Sequence, residues 1–348
     1  ANIALNLPLT QELVNKHKPE KYAVRWDRAW SWYPLRVHAR GIAATGQTAS
    51  QQWQADAPAA AASVSVLPLL MRTVRISGVE ARDAEFRLRP RSRPDKDYGP
   101  IREFFPPIRD RDPDLPAAPK AKKAGDGWKI LVDDIKASGS HEVWIYQVRA
   151  ALSGELVADV SYTTRGGPFS LSGGKADVEV GSLQINAEEA VSPGGTLEGS
   201  FEMAPFVPSE HRGLKALAFL TADATLDLPV DSLDFLDVYL RRINGMKVDG
   251  KGTWQGRLNY EKGNITTGTD MVVSASELIL NASPYKVQGT GDISIRAGSE
   301  VPDTLDLHFG FGTLAAFHDG SETALFTGEK LDIGIRGSNR LLLDEKRH

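Results

Sequence analysis

The chain has 348 residues, a formal net charge of −4 and no cysteine. These facts exclude disulfides, thiolate catalysis and Cys-based metal sites, and they leave no basic field for nucleic acid. The length suits one large all-β domain or two ordinary ones, and no stretch approaches the roughly 18 to 20 apolar residues that a membrane-spanning helix needs.

The first residue is Ala1, so a preceding segment is expected to have been removed by processing or design. In LPLTQELVNKHKP the pattern predicts a short helix, with Thr10 as N-cap and Pro19 as stop. Ala23 to Trp30 and Leu35 to Ala39 alternate as strands around an aromatic corner, Trp30-Ser31-Trp32-Tyr33-Pro34. After Ala55 an alanine run leads into Val64 to Met71, whose Pro68 suggests a strand bending into one helical turn. Val74, Ile76 and Val79, then Ala84, Phe86 and Leu88, resume strand alternation. Residues 91–127 change character: prolines cluster among charges of both signs, which reads as an excursion or linker pinned to the sheet by Phe104-Phe105-Pro106-Pro107.

From Trp128 the chain reads as strand after strand, with glycine turns between Val143–Ala151, Glu155–Tyr162, Phe169–Leu171, Ala176–Val180, Leu183–Ala187 and Thr196–Met203. A long strand follows over Leu220 to Leu228. Leu233, Leu236, Leu240 and Ile243 then predict an amphipathic helix capped by Asp231 or Ser232 and ended by Asn244-Gly245. Next comes a short pattern written twice: Val248, Gly250 and Gly252, and, 287 − 248 = 39 residues later, Val287, Gly289 and Gly291. Side chains alternate across a strand, so Val248, Gly250, Gly252, Trp254, Gly256, Leu258 and Tyr260 share one face while Lys247, Asp249, Lys251 and Arg257 share the other. A row of glycine inside a strand points to a bend, a bulge or close approach by another backbone or a ligand.

Catalytic patterns are weak. Seven histidines stand at 17, 38, 141, 211, 308, 318 and 348 without metal-site spacing, which favours surface or strand-partner roles. Gly250 to Gly256 (GKGTWQG) lies inside an alternating strand rather than before a helix, so it is no phosphate loop. Asp133-Asp134 and Glu188-Glu189 are neighbours that face opposite ways in a strand. Asp110, Asp112 and Asp114 alternate in the excursion, where a solvated loop is favoured over a cation site. The aromatics Trp26, Trp30, Trp32 and Tyr33 read either as a membrane-interface belt or as a cap on a sheet end.

The N-terminal third, WDRAWSWYPLRVHARGIAA followed by SVSVLPLLMRTVRISGVEARDAEFRLRP, resembles the AsmA-like proteins of Gram-negative bacteria, and VDSLDFLDVYLRRINGMKVDGKGTWQGRLNYEKGNITTG resembles their repetitive β portion. That family is similar to the chorein-type bridge proteins, whose folded sheet encloses an apolar groove for acyl chains. The resemblance implies a periplasmic protein, anchored to the inner membrane through a removed N-terminal segment, that moves phospholipid or a similar amphiphile towards the outer membrane. It implies no enzyme activity and no cofactor. The alternative is a scaffold whose open sheet edges recruit outer-membrane or envelope proteins.

The expected fold is mainly β, a long antiparallel meander curled into an open half-pipe with a few short helices. Its expected parts are an N-terminal capping segment at 1–90, the excursion at 91–127, a repetitive β-groove at 128–338 and a tail at 339–348. The expected groove lining is Leu156, Val160, Val178, Val180, Leu226, Leu228, Val248, Trp254, Leu258, Leu278, Leu280, Val287, Ile293, Ile295, Leu305, Leu307, Phe309 and Phe311.

Overall fold

The structure, a computed structural model, describes residues 2–16, 21–33, 35–48, 51–91, 106–111, 127–145, 148–185, 191–208, 210–211, 213–234, 247–298 and 304–338. Among the described residues it is mainly β, with 17 strands in one mostly antiparallel sheet and two short α-helices. Two compact units divide the chain: residues 1–178 with 202–212, and residues 179–201 with 213–348.

In the first unit, helices α1 (Asn2–Leu5) and α2 (Pro8–Asn15) precede strands β1 (Tyr22–Arg25), β2 (Arg28–Trp30), β3 (Arg36–Gln47) and β4 (Gln51–Ser65). The helix start differs from the expectation. Pro8 occupies the first turn, where its fixed φ is already helical, so α2 begins there and Thr10 lies inside it. Pro19 lies outside the described residues. The predicted strand over Ala23 to Trp30 is broken at Trp26 and Asp27, and β1 and β2 pair separately with β3, Tyr22 opposite Gly46 and Trp30 opposite His38.

The alanine run belongs to β4, and the 3₁₀ turn Leu67–Met71 follows it, as Pro68 suggests. Strands β5 (Thr73–Arg82) and β6 (Glu85–Pro90) share β4 as a neighbour, one behind the other. Strand β7 (Lys129–Ile145) pairs with both in parallel, Val74 opposite Ile130 and Phe86 opposite Val143. The meander is therefore mostly antiparallel, with these two parallel pairings inside it. Parallel neighbours need a long crossover, which lies between Pro90 and Lys129. Within the crossover Ile108 is buried against Trp144, and the Arg109 N–H donates to Gln54 Oε1 at 3.1 Å. Phe104 and Phe105 lie outside the described residues.

Strand β8 (Val148–Thr163) pairs with β7 from Ile145 opposite Val148 to Lys129 opposite Thr163. The predicted strand Val143–Ala151 is thus two strand ends, and Gly154, read as a turn, is mid-strand. The same holds for β9 (Phe169–Ile185), one strand where three were expected, because Gly173 and Gly174 continue it. Strand β10 (Thr196–Phe206) follows, as expected.

The second unit contains β11 (Leu220–Val230), β12 (Lys247–Glu261), β13 (Asn264–Ile265), β14 (Asp270–Ala282), β15 (Tyr285–Ala297), β16 (Thr304–His318) and β17 (Phe326–Ser338). The helix expected after Val230 lies outside the described residues beyond Asp234. The twin glycine pattern occupies β12 and β15, and β14 runs between them. Gly250 and Gly289 both stand opposite Leu278, and Gly252 and Gly291 both stand opposite Ala275. The register shifts between Ala275 and Leu278 at this point. A Cβ on Gly289 would overlap the Thr313 carbonyl oxygen of β16, and one on Gly250, which has φ 137°, would overlap the Glu277 carbonyl of β14. Neighbouring backbones fill the space, so the strands bend together here.

Gly289→Ala is expected to lower unfolding stability by about 1 to 3 kcal/mol through this overlap, whereas Gly328→Ala on β17, whose Cβ would meet nothing within 4 Å, is expected to be near neutral. Chemical denaturation of both variants checks the difference.

Candidate functional site: a one-sided apolar face

Each unit has a sheet face lined by aliphatic side chains, and the two faces differ in exposure. In the second unit the residues gather into one core of Val191, Val230, Leu233, Val248, Val273, Ala275, Leu278, Leu280, Ile293, Phe309, Phe311 and Leu314, with Trp254, Val287, Leu307, Leu331, Ile333 and Ile335 packed against it. Val273 and Leu278 are 0% exposed and Phe309 is 1% exposed. A flat single sheet leaves such a face open to water; this one is folded inward and met by protein, Leu233 included.

Of the expected lining, Val178, Val180, Leu226, Leu228, Val248, Leu278, Leu280, Ile293, Ile295, Leu305, Phe309 and Phe311 are buried, and Leu156, Val160, Trp254, Leu258, Val287 and Leu307 are half-buried. None is exposed. Alternation thus places them all on shielded surface, and in the second unit that surface is packed protein interior.

In the first unit the apolar face stays half-open. Cross-strand pairing builds it in rows. Val64, Ile76, Val132 and Val160 stand opposite one another on β4, β5, β7 and β8, Ala60, Ala81, Ala137 and Leu156 form a second row, and Val74, Ile130 and Tyr162 a third. No charged side chain interrupts these rows. Every member is half-buried rather than buried. The opposite face carries ion pairs, Arg75 with Asp133 at 2.6 Å and Lys136 with Glu155 at 2.6 Å. Burial among the aliphatic rows pushes the Tyr162 phenol above the ordinary tyrosine range.

Sequence reasoning placed Arg257 on a charged face of the second unit but missed the row of charges that crosses its strands. Arg257 stands opposite Asp270, Asp270 opposite Arg296, Arg296 opposite Asp306 and Asp306 opposite Arg336. Charge alternates across five strands, and Asp223 of β11 joins through the Arg257 Nε–Oδ1 bond of 2.8 Å. That guanidinium holds the Asp223 carboxyl below its usual range, chiefly by hydrogen bonding. Asp306, on this outer face, is nevertheless buried, with Arg336 bonded to it. The signal was present in the sequence as one charge per strand, but only register aligns the row.

The other candidates resolve into structural roles. His141 is buried and its Nδ1 accepts the Ala84 N–H at 3.2 Å. His308 lies on the charged face, 3.4 Å from Asp332. Asp133 faces Arg75, while Asp159 Oδ1 accepts the Asp134 N–H at 2.7 Å, so the adjacent pair is split. Asp110 pairs with Arg25 at 2.9 Å, and Asp112, Asp114, Glu188 and Glu189 lie outside the described residues. Trp30 stacks on His38 at 5.7 Å and the Trp26 Nε1–H donates to the Leu5 carbonyl, whereas Trp32 and Tyr33 are exposed. Among the described residues no helix is long and apolar enough to cross a membrane. In comparisons with known proteins, no family model and no curated protein matches this chain.

Tyr162 offers a check on the half-open face. Because its folded pKa is raised, the neutral phenol is favoured in the fold: its contribution is intact below the ordinary value of about 10 and is lost as pH rises through the folded value. Ultraviolet titration is expected to show a phenol ionising above the ordinary range that is absent from Tyr162→Phe, and Tyr162→Phe is expected to soften the loss of stability at alkaline pH.

Proposed function

We propose that this chain binds a long-chain lipid on the half-open apolar face of its first unit and serves in lipid transfer in the periplasm between inner and outer membranes. The observation that carries the reading is the aliphatic row Val64, Ile76, Val132 and Val160, continuous over four strands, uncharged, and neither sealed nor fully exposed. An acyl chain laid across it gains roughly 0.8 kcal/mol per buried methylene, with little difference from one row to the next. Such a surface holds a chain without fixing its register, which is what movement along it requires. The charged opposite face keeps water on the other side. The resemblance to AsmA-like proteins, carried by the N-terminal and twin-glycine segments, points to the same class of ligand. No step of bond-making chemistry is assigned to the chain.

The rows of the second unit are packed, so a lipid there has to displace side-chain contacts before it gains any. Binding is accordingly assigned to the first unit.

A second reading rests on β17. This strand pairs with β16 among the described residues, and its first residue Phe326 and the preceding Leu325 stand exposed. A partner strand added at such an edge is the mode of an envelope scaffold.

Displacement of a fluorescent fatty-acyl probe separates the readings. Val160→Asp is expected to weaken probe binding by at least about ten-fold, since an ionised carboxylate on an acyl-binding surface is costly to desolvate. Ser161→Asp, on the opposite face of β8, is expected to bind as the unaltered chain does. Equal binding by both variants would overturn the assignment to this face.

A further inference from the structure

One end of the first unit's sheet collects several of the most exposed apolar side chains among the described residues. Four segments meet there: residues 31–33 and 35 before β3, 66–72 between β4 and β5, 127–129 at the start of β7, and 163–168 at the end of β8 and beyond. Backbone bonds stitch them side by side. The Val64 N–H donates to Leu35 O at 2.9 Å, Lys129 N–H to Arg72 O at 3.0 Å, and Thr164 N–H to Trp128 O at 2.9 Å. The turns also close on themselves, Leu69 N–H on Val66 O and Arg72 N–H on Leu69 O, both at 3.1 Å, so their side chains project outward. Leu70 is 86% exposed, Leu67 79%, and Trp32 and Met71 each 76%.

Surface leucines scattered singly need no explanation, but a contiguous apolar tip does. Its chemistry is specific. The side chains comprise aliphatic residues and amphipathic aromatics, the cations Arg72, Lys129 and Arg165 are exposed among them, and none of the four segments contains an acidic residue. Trp and Tyr beside Leu, ringed by Lys and Arg, is the composition that settles at the boundary between acyl chains and anionic headgroups. Side chains that protrude this far offer a shaped protein partner no hollow to fill, whereas a fluid layer accommodates them.

We propose that this end is a membrane-docking tip, in which Trp32, Leu67, Leu70 and Met71 enter the interfacial layer of a bilayer while Arg72, Lys129 and Arg165 meet anionic lipid headgroups. The assignment goes beyond lipid carriage and stands whether or not the apolar face takes an acyl chain. It also gives the exposed half of the aromatic cluster a role distinct from that of Trp26 and Trp30, which brace the helices and β3.

Flotation of the full chain with vesicles tests it, using phosphatidylcholine alone and phosphatidylcholine mixed with phosphatidylglycerol. The chain is expected to float with the mixed vesicles and to lose most of that binding at high salt. Leu70→Asp is expected to weaken partitioning roughly ten-fold or more. Lys129→Gln and Arg165→Gln are each expected to weaken it roughly five-fold on mixed vesicles only. These side chains are exposed, so circular-dichroism melting of the variants should match the unaltered chain. Val160→Asp is expected to float normally while losing the acyl probe, which keeps this proposal distinct from lipid carriage. Absence of flotation with either vesicle, or unchanged flotation of Leu70→Asp, overturns the proposal. So does a dimer in solution that Leu70→Asp dissociates, because the tip is then covered by a second copy.

Discussion

Strand backbones come so close together at the twin glycines that no side chain fits between them. Leu278 of β14 is flanked by Gly250 on one side and Gly289 on the other, and its own side chain is wholly buried. The large residue and the two missing ones are parts of one arrangement. Bare positions on β12 and β15 let the sheet bend at the β14 bulge, and the bend turns Leu278, Val273, Ile293 and Phe309 inward. Without it the aliphatic row would lie against water, at roughly 25 cal/mol for each Å² left exposed. The spacing of 39 residues is therefore a geometric repeat, the distance along the chain from one side of β14 to the other.

The opposite face obeys a complementary constraint. A sheet with one apolar side has to remain wetted on the other, and in the second unit this falls to the row from Arg257 to Arg336. Like charges directly opposite would destabilise neighbouring strands; alternating them makes each pair favourable. Surface ion pairs contribute little singly, but this row fixes register, and a slip by one residue would bring the apolar set to the wet face. Apolar interior, bending glycines and charged exterior are consequences of the same two-residue period. The first unit uses that period differently. Its bulges at Gly78 and Asp134, both at positive φ, lie next to each other across the parallel β5–β7 pair, and its aliphatic rows remain half-open. The contrast between a packed face and a half-open one is what directs the ligand proposal to the first unit.

Much of this was legible from alternation alone. Every residue expected on the apolar side is shielded, from Leu156 to Phe311, because strand periodicity reports facing directly. The glycine row was read as a bend, a bulge or close approach by another backbone or a ligand, and the structure shows a bulge together with close backbone approach. Turns were the weak point: Gly154 and Gly173 were taken as strand ends, although glycine serves equally inside a bent strand. The reversal between Ile145 and Val148 was invisible, since Tyr146 and Gln147 carry none of the usual turn residues. Parallel pairing of β7 was hidden for a different reason. It depends on the crossover returning to the far end of the sheet, and nothing local to Lys129 encodes that. Whether an aliphatic row is sealed or half-open is a property of what covers it, which periodicity does not report; the packed state of Phe309 and the partial exposure of Val160 became distinct only in three dimensions.

Solvent extraction of the purified full chain, followed by lipid mass spectrometry against a protein without an apolar face, tests the central claim most directly. The account predicts phospholipid or another long-chain amphiphile in stoichiometric amount, lost on Val160→Asp. A lipid-free protein that remains folded and takes up no lipid when it is supplied would contradict it, and would leave the half-open rows as an unfilled part of the core.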